Sequence, residues 1–274
     1  MRYRNLLLPA LTISLAAAFS LPALAQQKQV WKASDVHPLG YPTVEAIQRM
    51  GKKLEAETKG RISIQMYPAM QLGGEKEMIE QAQVGALQIA RISVGAMGPV
   101  VDDLNVFNMP FIFRDEAHMR KVIDGPIGQE LLERTSNAPT SRLIVLGWMD
   151  AGTRNVYSNK PVTKPADLKG MKIRMMGNPL FVETMNAMGG NGVAMGFNEL
   201  YSALQTGVVD GAENNPPTLL AQNHFQEKQA ESTIKELKHT REELNRFDKQ
   251  KMEADVREII GVEEKEDIPI ILDL

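Results

Sequence analysis

Three side chains that could hold an anion end or follow short apolar segments: Arg154, Arg174 and Asn214. In an open α/β sheet, groups at strand ends face the crevice where a ligand binds. A guanidinium can hold a carboxylate through two parallel charge-assisted hydrogen bonds, which a lysine cannot do. If the three side chains converge, they form an anion pocket with a neutral orienting amide. The alternative is three unrelated surface groups, with Arg174 paired to a local carboxylate.

The sequence lacks the usual patterns of catalytic and nucleic-acid-binding sites. Residues 189–192 read GGNG, which lacks the Lys-Ser/Thr of a phosphate-binding loop. The absence of cysteine excludes disulfides, thiolate zinc sites and cysteine nucleophiles. The 31 basic and 34 acidic residues leave no basic excess for nucleic acid. We therefore expect neither an enzyme nor a metal or cofactor site.

The N-terminus has the three parts of a secretory signal. Two arginines precede an apolar run over residues 6–24, and the run closes on Ala-Leu-Ala at residues 23–25. This pattern predicts a signal peptide over residues 1–25 that is cleaved after Ala25. The alternative is an uncleaved anchor, but Pro9, Ser14 and Pro22 interrupt the run. We expect a soluble, exported mature chain.

Downstream, predicted strands alternate with predicted helices, which indicates βαβ units and a mainly parallel sheet. Gly125-Pro126 predicts a break within the helical stretch 116–135. In the stretch 107–113 we expect Phe107 and Phe111 to pack in the core. The predicted strands are residues 29–34, 61–67, 86–92, 143–149, 156–158, 172–175, 191–194 and 208–214. The other predicted helices are residues 42–58, 76–83, 179–188 and 197–204.

The chain changes character at residue 227. Residues 227–261 are densely charged, with apolar residues at helical spacing, and predict one or two solvated amphipathic helices. Residues 267–274 predict a final strand or an apolar tail. Because Pro269 cannot donate a backbone hydrogen bond, we expect an edge strand at best.

Several motifs together resemble the extracytoplasmic solute-binding subunit of tripartite ATP-independent periplasmic (TRAP) transporters. The most specific is FNELYSALQTGVVDGAEN at residues 197–214, preceded by GMKIR and GNP within residues 170–179. Supporting matches are YPAMQLGGE at 67–75, QVGAL at 83–87, PFIFR at 110–114 and G-x-R-N at 152–155. The resemblance covers residues 29 to about 226 in one continuous order.

The resemblance implies a two-lobed α/β solute-binding fold of the type II kind, with an organic acid clamped between the lobes. The ligand would be a C4-dicarboxylate, a 2-oxo acid or a sugar acid, and Arg174 would pair with its carboxylate. Arg154 and Asn214 would line the same cleft. Further candidate wall residues are His37, Glu75, Arg91, Ser93, Asn178 and Phe197.

Two of these residues keep alternative interpretations. Glu75 could accept hydrogen bonds from ligand hydroxyls or could favour the start of its helix. His37 could contact ligand or form hydrogen bonds within its loop. The resemblance also implies a periplasmic, monomeric protein that delivers its ligand to TRAP membrane permease subunits, with no cofactor and no nucleic acid.

The chain departs from this family after residue 226. We expect a first lobe over residues 26–150, a partial second lobe over 151–226 and a charged helical tail of unassigned origin over 227–274. The alternative function is that of a truncated or mis-joined fragment with only an interaction or sensory role.

Overall fold

The computed structural model describes residues 28–224 and the short segment 268–273. The predicted signal peptide and most of the predicted charged tail lie outside these residues. The strands are β1 (Gln29–Ser34), β2 (Ile62–Tyr67), β3 (Ile89–Ser93), β4 (Leu143–Met149), β5 (Asn155–Ser158), β6 (Lys172–Met175), β7 (Asn191–Ala194), β8 (Gly211–Asn214) and β9 (Ile268–Asp273). The helices are α1 (Pro42–Glu57), α2 (Glu75–Gln83), α3 (Val94–Met97), α4 (Asn105–Asn108), α5 (Glu116–Ile123), α6 (Pro126–Asn137), α7 (Pro179–Ala187), α8 (Phe197–Gln205) and α9 (Pro216–Ala221).

Five strands form a first sheet in the order β2-β1-β3-β9-β4, and all of its neighbouring pairs are parallel. The helix α1 crosses between β1 and β2, as expected where a parallel pair needs a crossover. Its apolar face carries Val44, Ile47, Met50 and Leu54, all buried as the spacing predicts. We call this sheet and its helices the first lobe.

Four strands form a second sheet in the order β5-β8-β6-β7, with β5 antiparallel to β8 and the other pairs parallel. We call it, with α7, α8 and α9, the second lobe. The strand β6 lies inside this sheet and carries Arg174, which is opposite Ala212 of β8 and Val193 of β7. The predicted lobe boundary at residue 150 falls between β4 and β5 and stays a prediction.

The last strand differs from its predicted position. The prediction that Pro269 confines this strand to a sheet edge is wrong, because β9 lies between β3 and β4. The ladder with β3 begins only at Ile270, opposite Ala90, whereas Pro269 is opposite Ile144 of β4. A proline is tolerated here because only one neighbouring strand runs beside it.

Of three further expectations, two are confirmed and one is wrong. The helical stretch does break at Gly125-Pro126, where α5 ends and α6 begins with proline in its first turn. Phe107 packs against Phe113 and Trp148 with ring centroids 5.6 and 5.4 Å away. The expectation for Phe111 is wrong: it is 93% exposed, in a left-handed backbone conformation.

None of the described helices combines the length and apolar character needed to cross a bilayer.

Candidate functional site

A small cleft, partly open to solvent, lies between the two lobes. Both lobes contribute to its walls. The lining residues are Val36, His37, Glu75, Ser93, Arg154, Arg174, Met176, Phe197, Asn214 and Asn215. Seven of the nine predicted site residues are in this set, and Arg91 and Asn178 are not.

Arg174 is the cation that faces the cleft from β6, and its residue is only 2% exposed. Its Nε donates to the Met195 carbonyl oxygen over 2.9 Å, and its Cζ lies 5.6 Å from the centre of the Phe197 ring. Within residues 28–224, no carboxylate contacts this guanidinium and its two Nη groups donate no hydrogen bond. Burial lowers the pKa of Arg174, while the charge of Glu213 opposes that shift. The guanidinium therefore remains a buried positive charge that faces the cleft.

Arg154, in contrast, is already paired. Its Nε donates to Glu213 Oε2 in a very short contact, and its Nη2 lies 3.0 Å from Glu213 Oε1. Its Nη1 donates to Asn214 Oδ1 over 3.2 Å. That oxygen also accepts from the Asn215 backbone N–H, so the Nδ2 of Asn214 is left as the donor toward the cleft. Within residues 28–224 this Nδ2 donates to no acceptor.

On the first lobe, the wall is built on a buried carboxylate, Asp35. Its Oδ1 lies 2.5 Å from Arg91 Nη2 and accepts from the His37 backbone N–H over 2.9 Å, and its Oδ2 accepts from Thr43 Oγ1 over 2.6 Å. Burial alone would raise the pKa of Asp35, but the charges and hydrogen bonds of Arg91 and His37 together outweigh burial and hold that pKa well below its ordinary value. Arg91, which is 0% exposed, thus lies behind the wall and positions it.

Glu75 and Ser93 complete the first-lobe wall in front of Arg91. Glu75 Oε1 accepts from the Ser93 backbone N–H over 2.7 Å and lies 3.6 Å from Arg91 Nη1. Ser93 Oγ accepts from the same Nη1 over 3.3 Å. The second oxygen of Glu75, Oε2, accepts no hydrogen bond from residues 28–224. Glu75 is the first residue of α2, but its side chain bridges to β3 instead of capping its own helix.

Aromatic rings surround Arg174 on the second lobe. The rings of Phe197 and His224 meet edge to face at 5.6 Å, and His224 Nδ1 lies 2.8 Å from the Tyr157 hydroxyl oxygen. Burial and the charge of Arg174 lower the pKa of His224 to about 4, so this ring is neutral at pH 7. Burial likewise raises the pKa of Tyr157. These neutral rings keep water away from the guanidinium and strengthen its electrostatic interactions.

His37 connects the lobes at one side of the cleft. Its Nε2 lies 3.2 Å from Thr218 Oγ1 of α9, and the Tyr41 hydroxyl lies 3.0 Å from the same oxygen. Its ring stacks on Tyr41 at 3.7 Å, and its Nδ1 lies 3.0 Å from Asp35 Oδ1. Burial and the nearby charge of Arg91 lower the pKa of His37. Both ring nitrogens have partners in this structure, which favours the interpretation of His37 as a loop hydrogen-bonding group.

Asn178 connects the lobes elsewhere. Its Nδ2 donates to the Gly95 carbonyl oxygen over 2.9 Å and to Asn105 Oδ1 over 2.8 Å, and its Oδ1 caps α7 through the Leu180 N–H. A Cβ on Gly98 would lie 2.5 Å from this Nδ2, so the close approach requires glycine. Asn178 thus holds the lobes together without lining the cleft.

Sequence reasoning missed several residues that build the site. Asp35 directly follows β1, so the strand-end argument applied to Arg174 would have found it. Glu213 adjoins Asn214 and was available by the same argument. Thr218 could not be predicted as a site residue, because the Pro-Pro pair at residues 216–217 does not indicate that a short helix begins there. Among the described residues, no group of three His, Asp or Glu side chains is placed to hold a metal ion.

The sequence of the chain matches one protein-family model and several curated proteins. The family model described as bacterial extracellular solute-binding protein, family 7, matches residues 33–260, and so extends past residue 226. The C4-dicarboxylate-binding periplasmic protein DctP of Rhodobacter capsulatus is 35% identical over 81% of this chain and 65% of its own. The chain spans between 56% and 65% of the length of four curated relatives.

Two solved structures are also similar. A TRAP periplasmic solute-binding protein from Citrobacter koseri, with bound D-glucuronate, is 53% identical over 72% of this chain and 65% of its own, with a TM-score of 0.70. One from Pseudomonas putida F1, also with bound D-glucuronate, is 46% identical over 90% of this chain and 88% of its own, with a TM-score of 0.72. The predicted two-lobed α/β solute-binding fold is confirmed by this likeness.

Proposed function

The chain belongs to family 7 of the bacterial extracellular solute-binding proteins, and we propose that it captures a sugar acid for a TRAP transporter by holding the acid's carboxylate on Arg174. Members of this family are solute-binding proteins and not enzymes, which agrees with the expectation from the sequence. The observation that carries the proposal is the buried guanidinium of Arg174, which has no carboxylate partner within residues 28–224.

Energetics supports an anionic ligand at this position. A buried charge without a partner is costly, whereas a carboxylate that meets both Nη groups would neutralise it through bidentate, charge-assisted hydrogen bonds. Asn214 Nδ2 is placed to donate to the same ligand. Arg154, held by Glu213, would support Asn214 and add positive potential at the second-lobe wall.

A sugar acid fits the rest of the cleft better than a small apolar acid. Glu75 Oε2 is an acceptor for hydroxyl groups on the first lobe. Ser93 and His37 add polar edges, and Phe197 offers an apolar face to a sugar ring. Arg91 and Asn178 would support this site indirectly, one behind the wall and one between the lobes. The D-glucuronate bound to two similar proteins makes that acid the first ligand to test.

The transport role follows from the same geometry. Ligand atoms held from both lobes would favour the closed arrangement, because a ligand shifts a two-state equilibrium toward the state it contacts more. The closed form would then be recognised by TRAP permease subunits in the membrane. We propose that the chain acts in the periplasm as a monomer, after export by its signal peptide.

Isothermal titration calorimetry with D-glucuronate tests this function. We expect Arg174→Ala to weaken binding by roughly 10²–10³-fold, since breaking a buried ion pair is strongly destabilising. Arg134→Ala, which removes an exposed arginine, is the matched control and should bind as the unmodified chain does. Near-unchanged affinity in Arg174→Ala would reject the carboxylate assignment. A folded chain that binds no sugar acid, 2-oxo acid or C4-dicarboxylate would favour the interaction-fragment alternative.

A further inference from the structure

Beside the cleft, the two lobes meet closely at Gly95 of the first lobe. Gly95 lies in the short helix α3 and is buried. Its carbonyl oxygen accepts a hydrogen bond from Asn178 Nδ2 of the second lobe over 2.9 Å. The side chains of Met176 and Phe181, also from the second lobe, lie where a side chain on Gly95 would stand. We call the contact of Gly95 with Met176, Asn178 and Phe181 the glycine seam.

The backbone of α3 does not require glycine at position 95. Its φ is outside the left-handed region, and within a helix alanine is more stable than glycine. The second lobe supplies the requirement instead. A Cβ on Gly95 would lie 2.5 Å from Met176 Cε, 2.5 Å from Phe181 Cε2 and 3.0 Å from Met176 Sδ. Carbon atoms in favourable contact are about 3.5–4.0 Å apart, so a side chain here would hold the lobes apart.

The strand β6 connects the glycine seam to the proposed ligand site. Arg174 is the third residue of β6, and Met176 directly follows the last residue of that strand. Met176 also lines the cleft together with Arg174. A carboxylate held by Arg174 would therefore lie beside the segment that packs against Gly95. Gly95 itself is not among the described residues that line the cleft.

We infer that Gly95 is a positioning residue: because it has no side chain, the lobes can approach closely enough to hold one ligand between them. The inference rests on the proposed function, since it assumes that the ligand is contacted from both lobes. A side chain at position 95 would change the distance between the lobes and not the groups that face the ligand. Affinity should therefore fall as that side chain grows, while the stability of the ligand-free chain is preserved.

Calorimetry with D-glucuronate on Gly95→Ala and Gly95→Val tests this inference. We expect Gly95→Ala to bind roughly tenfold more weakly than the unmodified chain and Gly95→Val roughly a hundredfold more weakly, because overpacking of a close contact is unfavourable. Gly177→Ala is the matched control and should bind as the unmodified chain does. It makes the same change one residue before Asn178, where an added Cβ would meet no atom within 4 Å.

Two further measurements separate crowding between the lobes from damage to the fold. Without ligand, chemical denaturation should find Gly95→Ala at least as stable as the unmodified chain, because alanine suits a helix. Phe181→Leu removes the rigid ring that a Cβ on Gly95 would meet, whereas the side chain of Met176 is flexible. The double variant Gly95→Ala/Phe181→Leu should therefore bind within roughly twofold of Phe181→Leu alone.

The outcomes distinguish the inference from the proposed function. Unchanged affinity in both Gly95 variants would overturn the role of Gly95 and leave the proposed function standing. A loss of ligand-free stability in Gly95→Ala, or no rescue by Phe181→Leu, would do the same. An unmodified chain that binds no sugar acid would instead contradict the proposed function, and the inference with it.

Discussion

Arg91 in β3 and Arg174 in β6 occupy comparable places in the two lobes: each is the third residue of a short parallel strand, and each is buried. Arg91 contacts the carboxylates of Asp35 and Glu75. Within residues 28–224, Arg174 contacts neither a carboxylate nor any acceptor besides the Met195 carbonyl oxygen. Burial and residue type are thus the same, and the counter-charge differs. This difference in counter-charge supports the proposal that Arg174, and not Arg91, binds the carboxylate of the ligand.

The largest expected effect is on stability, and it should separate the two arginines. Arg91→Met leaves Asp35 as a buried charge without its partner and should lower the free energy of unfolding by about 3–5 kcal/mol. Arg174→Met leaves no such carboxylate and should keep or raise the stability of the ligand-free chain. Chemical denaturation without ligand measures both variants. Equal destabilisation of the two would show that the counter-charge is not what distinguishes them.

A smaller effect concerns pH. The folded-state pKa of Asp35 lies below its unfolded value, so Asp35 stabilises the fold above about pH 4, and this contribution is lost as the pH falls further. Asp35→Asn should therefore lower the free energy of unfolding at pH 7 by about 1–3 kcal/mol. The difference in free energy of unfolding between Asp35→Asn and the unmodified chain should narrow as the pH falls below about 4.

Denaturation curves between pH 7 and pH 3 measure this gap. Arg134→Ala is the control and should follow the pH dependence of the unmodified chain, because its exposed side chain contacts neither Asp35 nor the partners of Asp35. A gap that stays constant over the whole range would mean that Asp35 does not titrate with a depressed pKa.

The cross-lobe contact at His37 gives a still smaller effect, this time on binding. Thr218→Val removes the hydroxyl that faces His37 Nε2 and Tyr41 with little change of shape. Losing this contact should cost about 1 kcal/mol in the closed arrangement and weaken D-glucuronate binding by roughly fivefold. Thr218→Ser keeps the hydroxyl and should restore the affinity. Equal weakening by both variants would indicate lost packing and not a lost hydrogen bond.

Much of the fold was predictable because apolar periodicity and glycine or proline boundaries report local structure directly. The bounds predicted for β6 and β7 agree with the structure, as does the start of α7 at Pro179. The position of β9 was not predictable in this way. The sequence shows that Pro269 lacks a backbone N–H, but it does not show where the neighbouring strand β3 begins. That start decides whether the proline interrupts a ladder.

The candidate site shows the same limit. The positions of Arg174, Arg154 and Asn214 at predicted strand ends suggested that they could share one site. The structure places all three on one cleft. The sequence could not distinguish Arg91 from Arg174, because the partners of each come from distant segments. Asp35 is 56 residues from Arg91 in the chain, and Arg154 and Glu213 are 59 residues apart. Which charges are paired is a property of tertiary structure.

A third arginine, Arg134, tests whether pairing with carboxylates stabilises the fold when the side chain is exposed; we expect the smallest effect here. Arg134 on α6 also contacts two carboxylates, Glu130 at 2.8 Å and Asp103 at 3.1 Å, but its side chain is 57% exposed. Water and salt already screen these charges, so Arg134→Ala should leave ligand affinity unchanged and the melting temperature within experimental repeatability. Calorimetry and thermal unfolding at low and high salt check both expectations. A loss of stability comparable to that of Arg91→Met would show that pairing with carboxylates stabilises the fold whether or not the arginine is buried. If no such loss occurs, pairing stabilises this fold only where burial has removed the solvent.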